Sequence, residues 1–243
     1  MTLEYKPWVG KATKIDDYDI SRVAYSLGVG EDELHAVLDV ETRGTGFDKH
    51  GVIKLFEEHV FYRNLPIDQR QKAVALGLAN KRWRRNYKNN HETFLKAYEF
   101  HPEAALKACS WGYGQILGEN YAMVGYDTPE DMVRSFAEDE SNQLEAIAKF
   151  IKAAGLDDEL RERNWRAFAR GYNGPGYAKN DYHKKLARRF EWWQKQPDTK
   201  WSPGMETVPE ADKGEYGITY EAKQPSFTIA DLLIKLIRFL RGK

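Results

Sequence analysis

Several things are scarce in this 243-residue chain, and each scarcity narrows the reading. A single cysteine, Cys109, excludes any intramolecular disulfide, so the fold must hold without staples, as expected of a protein made in a reducing cytoplasm. The first twenty residues lack the continuous apolar run of a signal peptide, and no stretch is long enough to span a bilayer. Net charge is absent too: 37 Lys and Arg balance 37 Asp and Glu, leaving no global field toward nucleic acid or an anionic membrane. The six histidines show no ligand spacing such as H-E-x-x-H, so no metal site and no cofactor are expected. No internal repeat is visible.

What is abundant is aromatic. Seven Trp and fourteen Tyr suit a groove that stacks on flat ligand faces, sugars included, although core filling accounts for most of them. The length allows one large or two small domains.

The chain is organised around residues 34–59. Leu34, Val37, Leu38 and Glu41 fall at i, i+3, i+4 and i+7, so a helix places all four on one face. A glutamate that ends an apolar stripe faces a core or a cleft, where desolvation raises its pKa, and a raised pKa suits a general acid near neutrality. The turn-rich Thr42-Arg43-Gly44-Thr45-Gly46 would stop the helix beside it. The alternative is a helix-end glutamate that packs its stem and wets its tip.

Other elements follow in order. Asp19 caps a helix burying Ile20, Val23, Ala24 and Leu27 and ending at Gly28, and this helix forms a hairpin with the Glu41 helix. Residues 51–61 fit a strand or a short helix. The cluster KRWRRNYK at 81–88 interleaves five cations with Trp83 and Tyr87, but in a neutral chain a solvated face outweighs a nucleic-acid patch, so no nucleic-acid partner is expected. Pro102 opens a helix that runs toward SWGYGQILG, residues 110–118, whose glycines allow close backbone approach. Thr128-Pro129-Glu130-Asp131 starts another helix, and the stripe Leu144, Ile147, Ala148 and Ile151 belongs to it or to a second one. Asn164 caps a helix with Trp165, Phe168 and Ala169 inward, and Asn180 caps a last domain helix carrying Leu186, Phe190 and Trp193.

Residues 197–226 read as a linker rich in Pro, Gly, Lys and Glu. Beyond it, Ile229, Leu232, Leu233, Leu236, Ile237 and Leu240 form one stripe on a helix whose polar side carries a surplus of three positive charges. Such a cationic amphipathic helix can lie on an anionic membrane or lipopolysaccharide surface, dock on its own domain, or pair with a copy of itself.

Four motifs in order, LDVETRG-GF, LFEEH-F, SWGYGQI-G-NY and FARGYNGPGYAKN-Y, resemble the N-acetylmuramidase domain of phage endolysins over roughly residues 20–195. More distantly, the helix-end glutamate, the G-x-x-Q-I element and the Tyr-Asn-Gly turn are similar to goose-type lysozymes and lytic transglycosylases. The resemblance implies a mainly α, lysozyme-like helical domain with little β at 1–196, before the linker and the C-terminal helix at 227–243. It also implies cleavage of the β-1,4 bond between N-acetylmuramic acid and N-acetylglucosamine in peptidoglycan. Glu41 stands at the catalytic glutamate, and Ser110, Tyr113, Gln115, Tyr172 and Asn173 match positions that line the substrate groove. Gly114 departs from the pattern, since relatives usually carry an aromatic before the glutamine.

Glycoside hydrolysis normally uses two carboxylates. Glu57 of LFEEH is the candidate second one, with Asp48 behind it; Glu57 can equally anchor its loop. Without a carboxylate to position water, the product would be a 1,6-anhydro sugar, as in a lytic transglycosylase. A non-catalytic cell-wall binding module is the alternative from another class. The resemblance further implies a monomer released from the host cytoplasm at lysis onto periplasmic peptidoglycan.

Overall fold

The structure, a computed structural model, describes residues 5–41, 44–83, 89–174, 177–178 and 181–205, with the side chains of Glu41 and Asn173 outside that description. The expected C-terminal helix at 227–243, most of the linker, the Tyr87 end of the basic cluster and Asn180 therefore lie outside the described residues. Helix dominates and the strands are two or three residues long, as a mainly α domain with little β requires. The described residues fall into two compact units: one drawn from those up to residue 13 and from 46–146, the other from 14–45 and from residue 147 onward.

The first unit holds all the strands among the described residues. β1 (Phe47–Asp48) and β2 (Gly51–Val52) form a small hairpin, and β3 (Lys54–Phe56), β4 (Cys109–Trp111) and β5 (Ile116–Leu117) form an antiparallel sheet in that order. The 51–61 segment thus resolves into two strands and then α3 (Glu58–Asn64). Its pattern was ambiguous because β3 is buried on both faces, so side-chain polarity does not alternate. α4 (Ile67–Ala75), α5 (Asn90–Phe100) and α6 (Pro102–Lys107) follow, and Pro102 takes the first-turn position. The helix from Pro102 does not run on toward Ser110. It stops at Lys107, because the next residues pair with β3, Cys109 opposite Phe56 and Ser110 opposite Leu55.

α7 (Pro129–Glu138) is capped by Thr128, whose hydroxyl accepts the Asp131 N–H at 3.0 Å. The 129–153 region is two helices: Asp139, in extended conformation, separates α7 from α8 (Glu140–Ala153). The core of this unit is aromatic. Trp8, Phe94 and Trp111 are buried in mutual edge-on and stacked contact.

Among the described residues the second unit is all helix apart from its connections. α1 (Asp17–Leu27) and α2 (Glu31–Glu41) are joined at Gly28, which adopts φ +70 as the C-cap of α1. The cap at the start of α1 is Asp16, not Asp19. Asp16 accepts the Asp19 N–H while the Asp19 carboxylate accepts the Asp16 N–H, so Asp19 is the third residue of a reciprocal capping box. Ile20, Val23, Ala24 and Leu27 are buried as their spacing predicts. α8 passes from one unit to the other, and α9 (Asp157–Arg161), α10 (Trp165–Asn173) and α11 (Tyr182–Trp193) complete the second. Asn164 caps α10 through the Ala167 N–H. α11 starts one residue later than expected, with Asp181 in left-handed conformation as its cap residue. No helix among the described residues is long and apolar enough to cross a membrane.

Candidate active site

In the second unit, α2 carries Glu41 as its last residue. Leu34, Val37 and Leu38, the apolar positions of its predicted stripe, are fully buried. The polar side of α2 is clamped rather than wet. Asp39 accepts hydrogen bonds from Arg189 Nε at 2.7 Å and Trp193 Nε1 at 2.6 Å, both on α11. Glu33 pairs with Arg163 at 2.8 Å, and the His35 ring stacks on Trp193 at 3.8 Å. Burial holds His35 down to about 4, so this ring is neutral packing material at physiological pH. α2 is thus a fixed rod ending in the glutamate.

Tyr172 also belongs to the second unit, on α10. Its ring is buried, stacked on Phe168 at 5.5 Å and edge-on to Phe150 at 5.7 Å. Asn173 closes α10 next to it.

The other four predicted residues, Glu57, Ser110, Tyr113 and Gln115, gather around the three-stranded sheet of the first unit. Glu57 continues β3 in extended conformation, and its N–H bonds the Ala108 carbonyl at 2.9 Å, so the ladder runs one residue past the strand. Strand alternation puts Leu55 and Glu57 on one face, the face of Ser110, which pairs with Leu55. Lys54, Phe56, Cys109 and Trp111 take the opposite face.

The Leu55 face is polar and under-satisfied. Glu57 Oε1 and Ser110 Oγ are buried without a hydrogen-bond partner, and so are Gln115 Oε1 and Asn120 Nδ2 nearby in sequence. Buried polar atoms are nearly always paired, so four open ones in one unit call for an external partner. Glu57 Oε2 lies 3.3 Å from His59 Nδ1. Burial pushes the Glu57 carboxyl up to about 7; the charge of Glu119 adds to this and the Arg63 guanidinium opposes it. Arg63 and Asn64 in turn hold Glu119. A carboxyl near 7 exchanges its proton at neutral pH, which a general acid or base requires.

Tyr113 and Gln115 sit in the turn between β4 and β5. Gln115 has φ +50 and donates from Nε2 to the Gly112 carbonyl at 2.8 Å, closing the turn on itself. Trp111 is anchored by Nε1 to the Leu106 carbonyl at 2.9 Å. Gly114 is buried in this turn.

Two organising residues escaped the sequence reading. Gln143 on α8 is buried; its Oε1 accepts the Tyr113 N–H at 2.6 Å and its Nε2 donates to the Phe136 carbonyl at 2.8 Å. A Cβ on Gly46 or on Gly112 would collide with that Gln143 amide, so the backbone at Gly46 and the SWGYG turn are both shaped to it. Glu140, three residues earlier and also buried, accepts the Gly46 N–H at 2.6 Å. The one available signal was a pair of polar residues at i, i+3 leading into the Leu144 stripe. Asp48, the reserve carboxylate, is exposed on β1 and turns back to accept the His50 N–H at 2.7 Å. Among the described residues no group of three His, Cys, Asp or Glu could hold a metal ion.

Comparison with known families decides the class. Residues 31–194 match the family model described as N-acetylmuramidase, about two thirds of the chain and a span holding all seven predicted residues. The chain belongs to the N-acetylmuramidase family. Among solved structures, this muramidase is similar to one described as the crystal structure of Burkholderia AP3 phage endolysin, with a TM-score of 0.68 and 29% identity over 80% of this chain and 75% of that one. No curated protein matches. Family membership makes the muramidase a glycosidase-type enzyme of peptidoglycan.

Proposed function

We propose that the chain cleaves the β-1,4 bond between N-acetylmuramic acid and N-acetylglucosamine, acting as an endolysin, with Glu41 as the general acid. The observation that carries this is the family match from residue 31 to 194, which begins on the helix that Glu41 ends. The rod-like clamping of α2 supports it, since a proton donor must be held within a fraction of an ångström of the glycosidic oxygen. On this reading Glu41 protonates the leaving oxygen while the sugar ring develops oxocarbenium character. Glu57 is the second carboxylate. With a pKa about 7 it is part ionised at neutral pH and can steer a water or stabilise the positive sugar. Ser110, Tyr113, Gln115, Tyr172 and Asn173 orient hydroxyl and N-acetyl groups. Gln115 Oε1 and Ser110 Oγ, open in the structure, are the atoms with bonding capacity to spare.

One observation favours a second reading. Below pH 7 Glu57 keeps its proton and is a poor base, so the muramic C6 hydroxyl could attack C1 instead of water, passing its proton to the Glu41 carboxylate that protonated the leaving oxygen, and close a 1,6-anhydro ring. Mass spectrometry of products from defined glycan strands separates the two, because the anhydro product is lighter by one water.

Glu41→Gln is the decisive variant. It should lower turnover of purified peptidoglycan about 10²–10⁴-fold, the usual worth of a positioned acid, with the melting temperature unchanged. Full activity in Glu41→Gln would end the assignment, and wild type that binds cell walls without cutting them would favour a binding module. For residues 227–243 we propose contact with an anionic outer surface: their removal should spare activity on naked peptidoglycan and reduce lysis of intact cells.

A further inference from the structure

The opposite face of the same sheet holds a group the cleavage reaction does not use. We propose that Lys54, with His50 and His91, forms a carboxylate-binding site that takes the peptide stem of the cell-wall polymer. This rests on the function proposed above, since glycan strands of that polymer carry short peptides with free carboxylates.

Lys54 stands on β3 opposite Trp111. Its ammonium lies 5.6 Å from the ring centroids of Trp8 and Phe94 and 5.9 Å from that of Trp111. Its hydrogen bond is a long one, 3.4 Å, to the Val52 carbonyl. An ammonium has three donors, so two remain open. No carboxylate lies within ion-pair distance of it among the described residues; Asp48 and Cys109 act on it only from farther off. Burial pushes the amine pKa down, as expected of a cation withdrawn from water without an anion.

Aromatic faces alone would offset part of that cost; His91, one helical turn before Phe94 on α5, is near enough for the charge of the amine to act on its ring. His50 and His91 stack at 3.9 Å, and neither ring has a hydrogen-bond partner among the described residues. Each is placed by a dedicated device. His50 rides the β1–β2 hairpin, where Asp48 accepts its N–H and Gly51 takes φ +95; a Cβ at Gly51 would strike the Trp8 carbonyl. His91 follows Asn90, whose side-chain amide makes two bonds to the Phe56 backbone, at 2.9 and 2.8 Å, and pins the start of α5 to β3.

Burial first, then the charges of Lys54, His50 and Lys6, hold His91 down to about 4 against the pull of Asp48. Its ring is neutral at physiological pH and keeps one N–H to donate. The first turn of α5 adds favourable field for an anion. One fixed positive charge beside imidazole rings fits an anion, and a carboxylate has two oxygens to share between amine and imidazoles.

Calorimetry on the full chain with N-acetylmuramyl-L-alanyl-D-glutamate and with its uncharged diamide tests this directly. The acid should bind about tenfold more tightly than the diamide. Lys54→Met, whose side chain suits the aromatic box without charge, should erase the preference. His91→Phe, which keeps the stack and removes the donor, should reduce it, and guards against a misfolded first variant. Equal binding of acid and diamide, no binding of either, or an undiminished preference in folded Lys54→Met overturns the proposal. A parallel digestion of peptide-bearing and peptide-stripped strands by the wild type keeps the two readings apart. If neither strand is cut, the muramidase reading fails while the binding result still judges Lys54.

Discussion

The acids of α2 in the second unit and the polar face of the short sheet in the first are treated in opposite ways. In the second, each buried acid described on α2 is spent: Glu33 on Arg163, and Asp39 on Arg189 and Trp193 together. In the first, Glu57, Ser110, Gln115 and Asn120 each keep one buried atom open, and the half-buried Lys54 has no carboxylate within ion-pair distance among the described residues. A satisfied buried group fixes geometry, whereas an unsatisfied one stores capacity for a ligand at a cost in stability. The lesson is a division of labour: one unit holds a rod rigid, and the other holds open donors and acceptors around a short sheet.

That contrast can be broken experimentally, and the largest stability effect is expected at Glu57. Its folded pKa of about 7 lies above the unfolded value of 4.5, so the folded state binds the extra proton. The wild type therefore carries no penalty from this group below pH 4.5, loses stability as pH rises through 7, and is then penalised by on the order of 3 kcal/mol. Glu57→Gln should flatten that slope, leaving the variant more stable than the wild type at pH 8 and nearly equal to it at pH 4; urea melts at the two pH values measure it. Parallel curves would mean Glu57 is ionised and paired.

Next in size is Asp39→Ala in the second unit. It leaves the Trp193 N–H without its acceptor and Arg189 without its partner, at a cost of about 2 kcal/mol after discounting for the partly exposed arginine. Thermal denaturation checks this, and no change would show that the α2–α11 clamp is ornamental.

The smallest effect should come from Ser110→Ala. Removing a buried hydroxyl with no partner should change stability by no more than about 1 kcal/mol and can raise it. Peptidoglycan turnover should fall in the same variant. A destabilised Ser110→Ala with normal turnover would make Ser110 a structural residue and remove the contrast between the units.

Legibility followed range. The Thr128 and Asn164 caps, the left-handed Gly28 and the buried stripes of α1 and α2 were readable because each depends on residues within four positions. Asp16 was missed by a narrow margin: two aspartates three apart compete for one cap, and only the backbone decides which one accepts first. SWGYGQILG was recognisable as a motif, but its strand character was not, because β4 is held between β5 and a β3 that lies some 55 positions earlier, with Ser110 opposite Leu55. Gln143 looked like one more polar helix residue until the Tyr113 N–H and the two glycines closed on it.

The sequence by itself determined the buried stripes of α1 and α2, several helix caps and the family to which the chain belongs, because local periodicity and ordered motifs are written along the chain. Tertiary structure alone decided which buried polar atoms are spent and which are open, what raises the Glu57 pKa, and how Lys54 comes to lie among three rings. Those properties depend on how much water is excluded and on which distant groups arrive, and neither is a property of any one stretch of chain.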